Sequence, residues 1–493
     1  MTSSIHANQE RVAGPDEFDI HEHLERVLAG VGLAASDCGG RVSFEGEDPI
    51  IPSPLRLGSA AGIGLAAKAV AIAKLWQMRG GKGQDIAVDL RKTPHRLCPF
   101  YDQKWEKLNG YSPGIPSDPD NPFALGFYQA GDGRWVMPLD PYPRLRTSTT
   151  RLLGCSDNSE SVTEAISKWN ALELEEAGAE AGVVMPMIRT IEEFVKEPQY
   201  EILADTPLVE IEKIADSDPE PLPEWGPNPL PLEGIRSLGM GRVIAGTGTG
   251  RALALHGSDV LNLWRPIDWE LDLLYYSANV GMRSSTLDFK SSEGRPVAEA
   301  LLKDADVFFA NRRWDWLDNA GFSAERCAEI RPGIIYCALT LHGRSGPWVN
   351  RVGFDQTAGC VGGVMTLEGS PEKPQLPLIS VVNDYIMSWL NTMGIMAALM
   401  RRATEGGSYR VHVSLTRVSL WILELGIFDK EYAYETAGSS EKHLYLDPDV
   451  FTAETPCGDY QGVTDQTFMS ETPGEYKTVL VPRGSCRPEW LPR

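Results

Sequence analysis

Asp355 follows Gly353-Phe354 and heads a stretch, Gln356 to Gly359, that can begin a helix. Aspartate is a favoured helix cap, and a desolvated carboxylate is also a nucleophile; the two roles are compatible. Upstream, His342 sits in the loop LTLHGRSGP. It can donate to a substrate carbonyl or carboxylate, or be an ordinary loop histidine with no partner visible in the sequence. Gly359, Gly362, Gly363 and Gly369 can offer backbone amides to a tetrahedral oxyanion, or serve as plain turn glycines. Arg265, Arg283, Arg312 and Arg313 are suited to anionic phosphates, although any one arginine is more often a solvated surface residue. No His/Cys cluster has ligand spacing, so no metal site is expected.

These residues fall in a stretch from Pro231 to Leu415 that alternates strand and helix, the pattern of a doubly wound sheet. It opens with a short apolar piece at Ile235 to Leu238. A glycine-rich turn from Gly239 to Gly250, a helix from Arg251 to Leu255 and a second apolar run at Val260 to Leu263 follow. The glycines do not keep dinucleotide-binding spacing and no phosphate-loop lysine follows, which argues against a NAD-dependent dehydrogenase. Further strands are expected at Val307 to Ala310 and Ile334 to Leu339. A long helix from Asp384 to Arg402, a glycine turn and an alternating strand at Arg410 to Leu415 close the stretch. The same helix, glycine turn and strand occur earlier, at Gly58 to Arg79, Arg79 to Gln84 and Asp85 to Leu90, so the chain carries an internal repeat. Between the copies lie a hairpin turning at Gly131-Asp132-Gly133 and an acidic helical run from Ser159 to Ala181. A strand, turn and helix from Gly182 to Tyr200 come next, with Thr190 and Glu193 forming a cap. Asp216 to Pro231 is proline-rich and acidic and reads as a linker.

The net charge of −22 argues against nonspecific binding to nucleic acid or an anionic membrane, both of which need a basic surface. The first residues are polar and acidic and lack an apolar signal core. The most apolar early stretch, Ala60 to Trp76, is interrupted by Lys68 and Lys74 and falls short of the roughly 20 apolar residues of a membrane span. The eight cysteines are scattered without a CxxC pair, as expected of reduced structural thiols. We therefore expect a cytoplasmic protein with no membrane or nucleic-acid partner.

Several stretches, in order, resemble the class III CoA-transferases, the family of formyl-CoA transferase, carnitine CoA-transferase and the alpha-methylacyl-CoA racemases. PLEGIRSLGMGRVIAG is similar to that family's opening strand followed by R-V-x-A-G-P, with Thr247 where proline is usual. ANVGMRSSTLDFKSSEG resembles N-R-G-K-R-S-x-x-L-D-x-K-x-x-x-G, ADVFFANRR resembles A-D-V-x-x-E-N-F, and RPGIIYCALTLHGRSGPW resembles N-P-x-L-I-Y-x-S-I-S-G-F-G-Q-x-G-P. GFDQTAGCVGGVM is similar to G-Y-D-x-x-x-Q-A-x-S-G. The resemblance implies an α/β fold, a Rossmann-like doubly wound sheet of the class III CoA-transferase type, with a smaller α+β domain. It also implies an altered order: a truncated second half of the fold placed ahead of a first half and its tail, with the small domain at Gly126 to Gln199. The expected segments are an N-terminal lead (1–50, one helix near Ile20 to Leu33) and a helix-turn-strand return half (51–115). A small α+β domain (116–220), a linker (221–230), the CoA-binding large domain (231–430) and a tail packing back on it (431–493) complete the chain.

The same resemblance implies the chemistry. Asp355 matches the catalytic carboxylate, which attacks an acyl-CoA thioester, passes through a mixed anhydride and an aspartyl-CoA thioester, and hands the CoA to an acceptor carboxylate. Burial opposes ionisation of such a group, so amides or an arginine must compensate. His342, Gly362, Gly363 and Gly369 would touch substrate or oxyanion. Val243, Ile244, Ala245, Arg265, Arg283, Asn311 and Arg312 would hold CoA, with Met282 and Arg312 departing from the usual lysine and phenylalanine. Asp384 matches the racemases' second aspartate, but Phe354 replaces their histidine and cannot carry a proton. Asp384 is then expected to cap its long helix, with a polar site wall as the alternative. The implied function is transfer of coenzyme A between an acyl-CoA and a small carboxylic acid, with no permanently bound cofactor, in a homodimer or beside a related subunit. Its alternatives are a lyase or isomerase on the same scaffold, or a non-catalytic subunit.

Overall fold

The computed structural model describes residues 11–114, 121–226 and 229–492. The expected boundary near residue 115 and part of the linker lie outside them. Six parallel strands, numbered in chain order, are Arg236–Met240, Asp259–Trp264, Arg283–Thr286, Val307–Ala310, Ile335–Thr340 and Ser408–Ser414. They lie side by side in the order third, second, first, fourth, fifth, sixth. This is the doubly wound α/β arrangement expected from the alternating pattern. The fourth strand, VFFA, is buried throughout, as a parallel strand with both faces covered must be.

A seventh strand, Glu210–Ala215, adds antiparallel to the sixth, with Ile211 opposite Val411. These residues were expected in the small domain, yet they finish the large sheet. Polar contacts hold them there: His412 Nδ1 is hydrogen-bonded to Glu210 at 2.5 Å, and Arg410 pairs with Glu212 at 3.2 Å.

The glycine-rich stretch is less of a turn than its composition suggests. The helix begins at Ala245 and runs to Leu255, so Gly246, Gly248 and Gly250 are helical. Glycine mid-helix costs up to about 1 kcal/mol against alanine, but here a side chain would not fit. A Cβ on Gly248 would meet Ser388 Oγ at 2.6 Å, and one on Gly250 would collide with the buried Met282.

The two repeat helices, Leu57–Met78 and Asp384–Glu405, pack on each other. Gly64 makes room for Trp389, whose ring would stand 3.2 Å from an added Cβ. Leu57–Met78 is long and apolar enough to cross a membrane, but 94% of its most apolar window is buried within the fold. Its Lys68 is paired inside with Asp465.

The strand after it, Gln84–Asp89, does not enter the large sheet. It lies parallel to Gly39–Glu45, with Val42 opposite Ile86, and antiparallel to Thr467–Met469. Residues 39–45 were expected in a loose lead; they form the first strand of a strand–helix–strand unit. The glycine pair at its start and a single buried side chain, Val42, hide the strand's period. The tail, expected against the large domain, gives a strand to this smaller unit as well.

In the intervening region the hairpin pairs Tyr128–Gln129 with Trp135–Val136. The acidic run splits into Ser159–Ile166 and Ala171–Ala181, because Asn158 and Asn170 each cap a fresh helix. The strand expected after Gly182 makes only one bridge, Met187 to Val136, while Thr190 and Glu193 form the expected capping box.

Candidate active site

The direction of sheet growth reverses between the first and fourth parallel strands. The crevice beyond their carboxyl ends is where such a sheet offers room for a ligand. Asn311, one residue past the fourth strand, ties the two strand ends together. Its Oδ1 accepts from Arg242 N and its Nδ2 donates to Arg242 O, both at 2.8 Å. A cleft of about 530 Å³ opens over this point.

One half of the cleft is cationic. Arg242, Arg265 and Arg312 each follow a parallel strand and converge on the carboxylate of Asp268 at 3.0, 2.7 and 2.9 Å. Burial alone would raise the Asp268 carboxyl. The Arg312 charge, the Arg265 hydrogen bonds and the Arg242 charge outweigh it and hold Asp268 well below the usual carboxylate range. Glu270 accepts from Val243 N at 3.0 Å and from the Tyr142 hydroxyl at 2.5 Å, and meets Arg242 at 3.5 Å. Three guanidiniums against two carboxylates leave a positive surplus. Burial, seconded by the charges of Arg242 and Arg265, pushes Arg312 down to about 10 against the pull of Asp268. Its Nε is buried without a partner. Trp316 underlies both Arg265 and Arg312, at 5.2 and 4.9 Å.

A pair of carboxyls lies where the second repeat helix begins. The Asp355 side chain is buried and accepts four hydrogen bonds: Val382 N at 3.1 Å, Asn383 N at 2.6 Å, Asp384 N at 2.8 Å and Asn383 Nδ2 at 3.2 Å. It therefore stands at the start of its own helix, Asp355–Gly362, and caps a different one, Asp384–Glu405. Free amides at a helix start are natural partners for an anion. Burial pushes the Asp355 carboxyl above the usual range, and these four donors oppose the rise without cancelling it. Asp384 has no such help. Burial and then the neighbouring Asp355 charge drive it well above the usual range, so of the two carboxyls Asp384 holds a proton the more firmly. Asp384 borders the cleft; Asp355 stands behind it, with Gly353 and Phe354 on the cleft wall.

Of the expected contacts, Val243, Ala245, Arg265, Asn311 and Arg312 border one cleft with Asp384, and Ile244 is buried just beneath. Others do not join them. Arg283 starts its strand and so sits at the amino end of the sheet, locked to Asp259 by two bonds of 2.9 Å. Met282 is core. His342 is buried away from the cleft: its Nδ1 meets Thr416 Oγ1 at 2.8 Å and its ring packs edge-on to Trp348. Burial, then Arg351 and Arg189, hold it well below its ordinary range, so it is a neutral packing residue. Gly362 is helical; the Gly363 and Gly369 amides donate to Gly359 O and Met365 O. None of the three has an amide free for an oxyanion. Asp384 is the first residue of its helix and a polar wall, not the expected cap, because Asp355 fills that role. Sequence reasoning missed Arg242, Asp268, Glu270, Tyr142 and Trp316. The signal for Arg242 was present: like Arg265 and Arg312, it lies within two residues of a parallel strand's end.

Residues 232–455 match the model of CoA-transferase family III. This segment belongs to the class III CoA-transferase superfamily. A succinate–glutarate CoA-transferase of Agrobacterium fabrum is 30% identical over 39% of this chain and 53% of its own length. An acetyl-coenzyme A transferase, nodX, of Hypoxylon pulicicidum is 27% identical over 62% of this chain and 55% of its own. The alpha subunit of a succinyl-CoA–L-malate CoA-transferase of Chloroflexus aurantiacus is 28% identical over 45% and 56%. The chain spans about half the length of the curated relatives it matches. The class III segment contains the whole arginine cluster and both carboxyls of the pair.

Proposed function

We propose that this chain moves coenzyme A between an acyl-CoA thioester and a carboxylic acid, with Asp355 as the group that carries acyl and CoA in turn. The observation that carries the reading is a cleft at the sheet's switch point with surplus arginine on one side and a carboxyl pair at a helix start. The arginines suit phosphates and leave the reacting thioester to the carboxyl side. Asp355 turns about its Cα–Cβ bond from the helix amides toward the cleft and attacks the thioester carbonyl. The amides it vacates, Val382, Asn383 and Asp384, are donors for the tetrahedral oxyanion. CoA thiolate leaves, and a mixed anhydride remains. The thiolate then attacks the aspartyl carbonyl, the donor acid departs, and an aspartyl-CoA thioester is left. An acceptor carboxylate attacks that thioester and the same two steps run in reverse, restoring the free Asp355 carboxylate. Assembly with a second copy or a related subunit belongs to the same proposal; one relative is itself named as an alpha subunit.

A second reading exchanges the roles of the two aspartates. Only Asp384 borders the cleft, which favours it by access, while the proton it retains disfavours it as a nucleophile. One experiment tests both. The protein is incubated with acyl-CoA, trapped with hydroxylamine, and cleaved after Glu368, which separates the two residues. Mass added to the Asp355 fragment, and lost in Asp355→Ala, supports the proposal. Mass on the Asp384 fragment supports the exchange of roles. Neither, with CoA demonstrably bound, rejects transfer through an aspartyl intermediate.

A further inference from the structure

The two halves of the cleft differ in chemistry along the sheet. From the second strand to the sixth are four strand spacings, about 19 Å at the usual 4.8 Å each. Arg265, Arg242 and Arg312 occupy the ends of the second, first and fourth strands. Beyond them the wall is made by Leu339 and Leu341 at the fifth strand, Leu415 just past the sixth, Val349 and Val352 on the connecting loop, and Met387 on the second repeat helix. Three polar side chains border this far half. Thr340 Oγ1 is bonded to His412 Nε2 at 2.8 Å. Arg351 is held by the buried Glu175 at 3.1 Å and lies over Trp348 at 4.8 Å. The third, Asp384, brings no positive charge. Among the described residues no unpaired cation stands in the far half. Two further arginines border the cleft: Arg313, paired with Asp315 at 3.4 Å beyond the fourth strand, and Arg144, exposed at the start of the Pro143–Leu153 helix next to Tyr142, whose ring meets both Trp269 and Phe354.

We propose that the acyl group handled at this site is aliphatic and carries no second carboxylate, so that donor and acceptor are both simple apolar acids, not dicarboxylic ones. The inference rests on the CoA-transfer reading. A methylene chain gains by leaving water for Leu, Val and Met side chains. A second carboxylate in the same place loses its hydration and finds only Arg351, already engaged by Glu175.

The test is calorimetric binding of three ligands to the full chain: free CoA, S-hexyl-CoA and the ω-carboxyl thioether of matched length. The expected result is hexyl-CoA bound at least tenfold more tightly than either of the others. A carboxyl thioether that binds as tightly as hexyl-CoA, or more tightly, overturns the inference and leaves CoA transfer standing. CoA that binds in no form overturns the transfer reading and the inference with it. The variant Leu341→Arg, which places a cation in the far half, is expected to reverse the preference between the two thioethers. Should that variant fold and keep the original preference, the far half is not where the acyl group lies, and the inference falls.

Discussion

Asp384 and Asp355 share one site as a pair of carboxyls in unlike surroundings. Asp355 has four donors; Asp384 has burial and a like charge for a neighbour. A carboxyl whose folded pKa is raised binds its proton more tightly folded than unfolded. Its contribution to stability is therefore fully present below the unfolded value of about 3.9 and is lost as pH rises toward the folded value, by at most about 1.4 kcal/mol per pH unit. Asp384→Asn removes that dependence. The variant should gain on the parent protein as pH rises from 4 to 7, in denaturant unfolding followed at several pH values. A gain that shrank with pH would mean that Asp384 is ionised and favourably partnered. Sequence reasoning identified Asp355 as a cap and as a carboxylate needing amide support, and both descriptions hold. It chose the wrong helix, because the start of the Asp384–Glu405 helix is far along the chain and only folding brings its amides to the side chain. For His342 the sequence shows neither its burial nor Thr416, so its chemistry could not be read there.

Strand ends decide which arginines can act together. Arg265 and Arg312 follow the carboxyl ends of their strands and face the cleft, while Arg283 begins its strand and is spent on Asp259. Arg312→Ala should weaken CoA binding by about 1.5–3 kcal/mol, the usual worth of a charge-assisted hydrogen bond, or roughly ten- to a hundredfold in Kd. Arg283→Ala should leave CoA affinity within about twofold by the same scale and show its cost in thermal stability, since Asp259 loses a half-buried partner. Equal loss of affinity in both variants would put the phosphates somewhere other than this cleft. Five of the six parallel strands, the strand at Gln84–Asp89 and two repeat helices were legible because their apolar periods and glycine turns are strong and local; the short polar strand Arg283–Thr286 was not. The helix start at Ala245 was not: glycine composition signals a turn, and only the proximity of Ser388 and Met282 explains glycine inside a helix. The strand at Gly39–Glu45 was hidden for a similar reason, since its partner arrives only after a long helix.

The molecule is held as one body by contacts that cross between its two halves. The first repeat helix is buried on nearly every side, so the first half alone would expose a helix apolar all round, which is stable only inside a core. Its Lys68 and Arg96 pair with Asp465 of the tail, and Thr467–Met469 completes the small sheet. Phe428 N donates to Pro54 O at 2.8 Å, next to a bridge between Leu55 and Ile427. Even the linker is fastened. Trp225 stacks on Trp76 at 4.6 Å, and Arg79 donates to the carbonyls of Pro223, Pro231 and Glu233. Cutting the chain in the linker therefore removes one covalent bond and leaves every one of these contacts available. With a protease site inserted after Gly226, the nicked protein should elute from a native sizing column as a single one-to-one species at micromolar concentration, and part only in denaturant. Separation under native conditions would show that the first half is an appendage. Coelution combined with preserved CoA affinity would show that the arginine cluster does not depend on the covalent link between the halves.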